Sequence, residues 1–317
     1  MTSIPAHNVL ITGASGFVGR HLAGRLAALG AAVHGLGNEP PQPALPLAGW
    51  HAADLTIAAS LGDAVAAAAP DFIVHLAGQP SAGRSFEQPV ETFRVNALGT
   101  WSLLQAVRER APTARVLVIG TGDCYGTQPE GTRVAEDAPL RPSSPYALSK
   151  AVADAFAERA ARDGLDVVRT RSFAHAGPGQ DPRFAVPSWA RQIAAIESGG
   201  AEPVIRVGNL QVTRDISDVR DVTRAYVALL ERGRTGAAYN VCRGEAVTLA
   251  WILDRLRAMS RVPVRVEVDP ERLRPVDVPY LVGDPGTLER DTGWRAEIEL
   301  EDTLAAVLED ARAARLT

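Results

Sequence analysis

Short apolar runs recur along the chain, each followed by a stretch in which apolar residues return every three or four positions. Asn8-Val9-Leu10-Ile11-Thr12 is the first run; glycines follow at 13, 16 and 19, and a helical pattern then covers residues 20–29. Further runs at 32–36, 72–76, 115–120 and 166–171 alternate with helical segments, the longest at 90–110. Strands apolar at consecutive positions are buried on both faces. Their alternation with helices predicts an α/β fold built on a doubly wound parallel sheet. Beyond residue 172 the pattern is broken, but a helix at 219–232 and a strand at 238–241 read as returning to the main sheet, and a helix at 301–312 closes the chain. The expected division is therefore residues 1–172 and 214–242 for the sheet domain, with 173–213 and 243–317 for a smaller, interleaved C-terminal domain. Pro40, Pro41, Pro43 and Pro46 mark a surface loop after the second strand.

The first strand, glycine turn and helix form a unit with a chemical meaning. Gly13 makes the tight turn, Gly16 lets the backbone approach a pyrophosphate, and Gly19 permits close helix packing, with the phosphates on the helix N-terminus. Ser15, Phe17 and Val18 belong to the same cofactor cradle. The second strand ends at Gly37-Asn38, where an acid would bind a ribose 2′-hydroxyl and an arginine would accept a 2′-phosphate. Asn38 takes that place, Glu39 lies just beyond, and no arginine occurs between residues 31 and 50, which tilts the choice between NAD and NADP slightly towards NAD. Asp54, followed by Leu55, stands where a strand-end carboxylate meets the adenine or caps the next helix.

Ser144-Pro145-Tyr146-Ala147-Leu148-Ser149-Lys150 opens a second informative helix. Tyr146 and Lys150 are one turn apart on one face. Ser144 suits the cap and Pro145 the first helical position, so Tyr146 falls in the first turn, where the helix dipole favours an anion. Tyrosine ionises near pKa ~10 and a neighbouring ammonium lowers that value, so the pair reads as a proton donor with its tuner. The spacing alone fits any amphipathic helix. Its company decides.

At 317 residues the chain can bury a full core and carry a second domain. The formal net charge of -4 leaves no basic excess for nucleic acid or an anionic membrane. Cys124 and Cys242 are too few for a disulfide framework and lack metal-ligand spacing, so no metal site is expected. No apolar segment reaches membrane-spanning length, and residues 1–7 lack a basic region followed by an apolar run. A cytoplasmic protein with free thiols is the expectation.

With Gly13 to Gly19, His75-Leu76-Ala77-Gly78, Val95-Asn96-Ala97-Leu98-Gly99-Thr100, Thr121 and Tyr146-x-x-x-Lys150 in this order, the chain resembles the extended short-chain dehydrogenase/reductase family over nearly its whole length. Within that family it is similar to the nucleotide-sugar epimerases, dehydratases and reductases. The resemblance implies a Rossmann domain with a small sugar-nucleotide domain, and a cofactor site that includes Leu76, Ala77 and Gly78. It implies that Thr121 hydrogen-bonds the reacting sugar oxygen beside Tyr146, that Lys150 binds the nicotinamide ribose, and that Asn96 supports the site from its helix or serves packing alone. In the family's 4,6-dehydratases the loop after Thr121 carries a glutamate that acts as base; Asp123 occupies that position here, one methylene shorter, and a base must come within about 3 Å of its proton. Cys124 reads as a packed thiol.

The C-terminal half is similar to the guanine-nucleotide-sugar branch. In Arg171-Ser172-Phe173-Ala174-His175-Ala176-Gly177-Pro178, Ala174 replaces the family's usual asparagine, and His175 either reaches the sugar or is satisfied by backbone. The resemblance places Asn209 and Leu210 beside the base, Arg214 and Arg274 on the diphosphate, and Asp277 on a ribose hydroxyl, with charge-assisted bonds from the arginines. It implies reduction of a GDP-linked 4-keto-6-deoxy-hexose by nicotinamide hydride, with a GDP-mannose 4,6-dehydratase or an epimerase holding NAD tightly as the alternative. A non-catalytic dinucleotide sensor is the third reading. Family habit also implies a homodimer, with Phe93, Trp101 and Val107 either facing the partner or buried in the core.

Overall fold

A computed structural model describes residues 4–39, 41, 45–273 and 276–314. Strands β1 (Asn8–Thr12), β2 (Ala32–Gly37), β3 (Gly49–Ala52), β4 (Phe72–His75), β5 (Arg115–Thr121) and β6 (Val167–Ser172) come first in the chain. Shorter strands follow: β7 (Ala174–Ala176), β8 (Val204–Val207), β9 (Thr213–Arg214), β10 (Ile216–Asp218), β11 (Ala238–Val241), β12 (Val247–Thr248), β13 (Arg265–Val268) and β14 (Tyr280–Leu281). Seven of these form one sheet in the order β11-β6-β5-β4-β1-β2-β3, and every pairing in it is parallel. The order reverses beside β1, which makes the doubly wound Rossmann arrangement.

Helices α1 (Phe17–Ala28), α2 (Ala58–Ala68), α3 (Ala82–Glu87), α4 (Pro89–Phe93), α5 (Gly99–Arg110), α6 (Pro145–Arg162), α7 (Ala185–Glu197), α8 (Val219–Arg232), α9 (Leu249–Ala258), α10 (Gly286–Thr292) and α11 (Leu300–Ala313) complete the chain. Strand alternation distributes residues to two cores. Val9, Ile11, Phe72, Val74, Leu117 and Ile119 join α1 and α8 on one face, while Leu10, Ile73, Val116 and Val118 join α2, α5 and α6 on the other. A third core, separate from the sheet, gathers α7, α9 and α11 around Trp189, Ile193, Leu253 and Leu304. Within 243–317, Leu288 and Trp294 pack into the first core, whereas Leu300, Leu304 and Leu308 pack into the third. Among the described residues, no helix is long and apolar enough to cross a membrane.

The helix expected across 90–110 is not continuous. A π turn at Arg94–Leu98 separates α4 from α5. Its wider i→i+5 hydrogen bonding inserts a residue into the turn, and Asn96 within it is buried. Val107, one of the residues weighed for a partner surface, is buried in the second core. Helix α6 starts as its sequence specifies, with the Ser144 hydroxyl accepting the Ala147 N–H at 3.1 Å and Pro145 at the first position.

Two buried arginines on β6 share one carboxylate of α6, and Arg169 also lies 3.4 Å from Glu158. Arg169 Nη1 lies 2.7 Å and Arg171 Nη2 lies 3.2 Å from the same Asp154 oxygen, and all three side chains are nearly inaccessible. Arg171 also donates to the Tyr125 hydroxyl at 2.9 Å and to the Glu136 carbonyl at 2.8 Å, tying the loop after β5 to this network. Removing one partner of a buried charge cluster leaves the others uncompensated. Asp154→Ala should therefore lower the unfolding free energy by about 3 kcal/mol or more, read by urea denaturation; a loss below about 1 kcal/mol, the level of an exposed pair, would show that the network does not hold α6 to the sheet.

Candidate active site

The glycine turn between β1 and α1 is shaped by what a side chain would strike. Gly13 has φ +73°, a conformation that disfavours any Cβ. A Cβ on Gly19 would lie 2.3 Å from the Gly13 carbonyl oxygen, and one on Gly13 would lie 3.0 Å from both N and Cα of Ala77. The Gly16 N–H bonds the Gly13 carbonyl at 3.0 Å, closing the turn. Helix α1 has neither a side-chain cap nor an acid in its first turn, so its amino end suits an anion. This cradle fits a dinucleotide pyrophosphate, with Ser15 in the loop and Val18 packed on the first core. The Phe17 ring stands between His21, edge-on at 5.5 Å, and His175, stacked at 6.1 Å.

At the end of β2 the chain runs past a tryptophan. The Trp50 indole lies along Gly35 and Gly37, and a Cβ on Gly37 would be 3.1 Å from it. Asn38 and Glu39 follow on the surface. One Asp54 oxygen accepts both the N–H and the hydroxyl of Thr56 at 2.7 Å, and these bonds hold its carboxyl below the usual range. The next residue, Leu55, is buried in the second core and abuts Gly99.

Thr121 is the last residue of β5, at the carboxyl edge where parallel sheets bind ligands. Its hydroxyl accepts the Asp123 N–H at 3.2 Å and shares a hydrogen bond with the Tyr146 phenol. Burial, then the nearby Asp123 charge, pushes the phenol above its ordinary value, and the Thr121 bond opposes this. Lys150 is buried and donates to the Ile119 carbonyl at 2.7 Å; burial pulls its amine down to about 8. The largest influences on the phenol are thus its own burial, Asp123 and Thr121, whereas Lys150 is turned to the Ile119 carbonyl. Cys124 is the packed thiol anticipated, 3.5 Å from the Ala147 carbonyl and pushed up to about 12 mainly by burial.

Asn96 is saturated. Its amide donates to the Gln79 carbonyl at 3.1 Å and to the Ser149 hydroxyl at 3.0 Å, and its oxygen accepts the Gln79 N–H at 2.7 Å. Ser149 donates in turn to the Tyr146 carbonyl at 2.7 Å. Gln79 and Ser149 were not singled out from sequence; a serine three residues after Tyr146, able to bond back along its own helix, was the available signal.

A second cluster unites residues far apart in the chain. Arg214 donates to the Val278 carbonyl at 2.6 Å and to the Thr213 carbonyl at 2.9 Å, and its other nitrogen lies 3.7 Å from Asp277. Asn209 donates to Asp277 at 3.0 Å. Leu210 packs on the third core, and Arg274 lies outside the described residues. His175 donates through Nδ1 to the Phe173 carbonyl at 3.0 Å, the backbone-satisfied alternative, while Ala174 is exposed.

These features agree with comparisons to known proteins. The family model described as GDP-mannose 4,6 dehydratase matches residues 10–307. GDP-6-deoxy-D-mannose reductase of Pseudomonas aeruginosa is 36% identical over 304 residues, covering 95% of this chain and 96% of that protein. The structure of RMD from Pseudomonas aeruginosa complexed with NADPH superposes with a TM-score of 0.87 at 35% identity, covering 98% of this chain and 100% of the other. UDP-glucose 4-epimerase of Thermus thermophilus in complex with NAD gives a TM-score of 0.87 at 30% identity, covering 96% and 99%. A glycine cradle, a Thr-Tyr-Lys constellation at the sheet's carboxyl edge and full-length similarity lead to one conclusion: the chain belongs to the GDP-mannose 4,6 dehydratase family, within the extended short-chain dehydrogenases/reductases.

Proposed function

We propose that this chain is an NAD(P)-dependent reductase of a GDP-linked 4-keto-6-deoxy-hexose, acting in deoxysugar biosynthesis. The observation that carries the reading is Tyr146, in the first turn of α6, beside Thr121 at the carboxyl end of β5, on a chain 36% identical to GDP-6-deoxy-D-mannose reductase. Reduction of a ketone needs a proton at the oxygen, and a phenol, protonated throughout the neutral range, supplies it to the strongly basic alkoxide that hydride transfer creates. When bound, the reduced nicotinamide supplies hydride to the sugar carbonyl carbon. Thr121 orients the carbonyl oxygen, and Tyr146 gives its proton to the developing oxyanion. Lys150, cationic below about pH 8, stabilises the phenolate left behind and holds the nicotinamide ribose.

In this reading Gly13, Ser15, Gly16, Phe17, Val18 and Gly19 cradle the pyrophosphate, Asn38 meets the ribose, Asp54 and Leu55 border the adenine, and Leu76 to Gly78 line the floor. Arg214 and Arg274 take the diphosphate of the substrate, Asp277 a ribose hydroxyl, and Asn209 with Leu210 the base. The Thr213 and Val278 carbonyls hold the Arg214 guanidinium beside Asp277. Asp123, close enough to raise Tyr146, favours the second reading, a GDP-mannose 4,6-dehydratase in which that carboxylate removes a proton. The protein works in the cytoplasm, where its two buried thiols stay reduced. It pairs with a second copy through an apolar face made by Val90, 80% exposed, Leu98, 49%, Trp101, 36%, and Leu148, 49%, with Trp101 packed on Phe156 of α6 at 5.1 Å.

Three measurements check this. Given GDP-4-keto-6-deoxy-mannose, the enzyme should consume one equivalent of reduced cofactor per sugar, and Tyr146→Phe should lose turnover by about a hundredfold or more while binding cofactor normally; conversion without net consumption would make it a dehydratase or epimerase. The rate kcat/KM should fall above about pH 8 as Lys150 loses its proton, and Lys150→Arg should move that limb upwards; an unmoved limb assigns it elsewhere. Light scattering should give twice the chain mass, and Trp101→Glu should halve it; a wild-type monomer excludes the paired surface.

A further inference from the structure

Beneath the glycine cradle lies a buried imidazole with no part in the proton transfer described above. His75, the last residue of β4, is 1% exposed. Its Nδ1 is 2.8 Å from the Thr12 hydroxyl, and its Nε2 is 2.9 Å from the Thr100 hydroxyl. The two ends of this line are groups with only one role each. The Ala77 N–H, a donor, meets Thr12 Oγ1 at 3.1 Å; the Asn96 carbonyl, an acceptor, takes the Thr100 hydroxyl at 2.6 Å.

Those ends assign every proton between them. Thr100 has given its only proton to Asn96, so it accepts from Nε2–H. Nδ1 then carries no proton and accepts from the Thr12 hydroxyl. A doubly protonated ring would face Thr12 with a second N–H and strip the Thr12 proton of its acceptor, a costly state in a buried site. Burial, together with the Lys150 charge, holds His75 down to about 3, so the ring keeps one neutral tautomer across the working range.

The line joins two functional halves. At one end Thr12 immediately precedes Gly13, whose absent Cβ would lie 3.0 Å from the Ala77 N and Cα; Thr12 and Ala77 therefore form the floor of the dinucleotide cradle. At the other end Asn96 reaches Ser149, which bonds the Tyr146 carbonyl. Two hydrogen-bonded segments, Ala77–Thr12–His75–Thr100 ending on the Asn96 backbone carbonyl and Asn96 side chain–Ser149–Tyr146, are thus joined through the covalent frame of Asn96 and run from the glycine turn to the first turn of α6.

We propose that His75 is a positioning residue that sets the dinucleotide cradle in register with the Tyr146 helix, Nδ1 serving the cradle and Nε2 serving the helix. Because each nitrogen has one task, the tasks can be separated by substitution. His75→Asn keeps an acceptor near Nδ1 for Thr12 and cannot reach Thr100. His75→Gln places a donor near Nε2 for Thr100 and leaves Thr12 without an acceptor.

The test measures NADPH dissociation constants by fluorescence titration and kcat at saturating NADPH, with thermal melts to confirm folding. The kcat arm rests on the reductase reading and uses GDP-4-keto-6-deoxy-mannose; the titration is independent of it. For His75→Asn we expect NADPH affinity within about threefold of wild type and kcat lowered about tenfold; for His75→Gln the affinity falls about tenfold and kcat changes less than about threefold, the scale of one buried group left unpaired. Should either variant fail to fold, Thr100→Val and Thr12→Val break the same two halves and carry the same contrast. Parallel changes in both variants, a reversed pattern, or equal NADPH affinities overturn the proposal. A wild type that does not turn over this substrate refutes the reductase reading, and the affinity contrast then decides on His75 alone.

Discussion

The side-chain amide of Asn96 fixes how α6 is rotated against the sheet, and the rest of the site follows from that rotation. Its three bonds to Gln79 and Ser149 are all buried or partly buried, so none can be exchanged for water without loss. A π turn is less favourable than the α-helix it interrupts, and these bonds offset it. Ser149 passes the constraint to the Tyr146 carbonyl. Lys150 meets the end of β5 through Ile119. The phenol consequently stands beside Thr121 at the edge of the sheet, before any substrate arrives.

Desolvation decides the electrostatics of that position. A tyrosine raised by burial and by Asp123 keeps its proton at neutral pH. A lysine lowered by burial to about 8 is still a cation at neutral pH, and in the proposed reaction it stabilises the phenolate once the proton has gone. The same groups in water would have left both values near their ordinary range. In the proposed reaction the acid form of Tyr146 serves reduction, and Asp123 is the group that the alternative, elimination, would use.

Much of this was legible before folding, for physical reasons that differ by residue. Val9-Leu10-Ile11 reads as a strand buried on both faces, and it feeds two cores. Ser144 and Pro145 announce the start of α6 by local chemistry alone, as does the glycine turn. The π turn could not be read, since the periodicity of 90–110 is set locally whereas the extra residue is held by bonds to β4's loop and to α6. The sign of the Tyr146 shift depends on burial, which a four-residue spacing does not contain. Asn209 and Asp277 lie 68 positions apart, and only family resemblance could join them. Gly37-Asn38 showed that an acid was missing; that the Trp50 indole packs along Gly37 depends on tertiary contacts the local sequence does not contain.

The central claim is that the Thr121–Tyr146 pair serves net reduction of a sugar ketone. Reduced cofactor carrying deuterium at nicotinamide C4 on the transferred face, supplied with GDP-4-keto-6-deoxy-mannose, tests it directly by mass spectrometry and NMR of the product. One deuterium bound to sugar C4 beside a new hydroxyl is expected, with matching formation of oxidised cofactor. A product free of deuterium, or one formed while the labelled cofactor stays reduced, would contradict it.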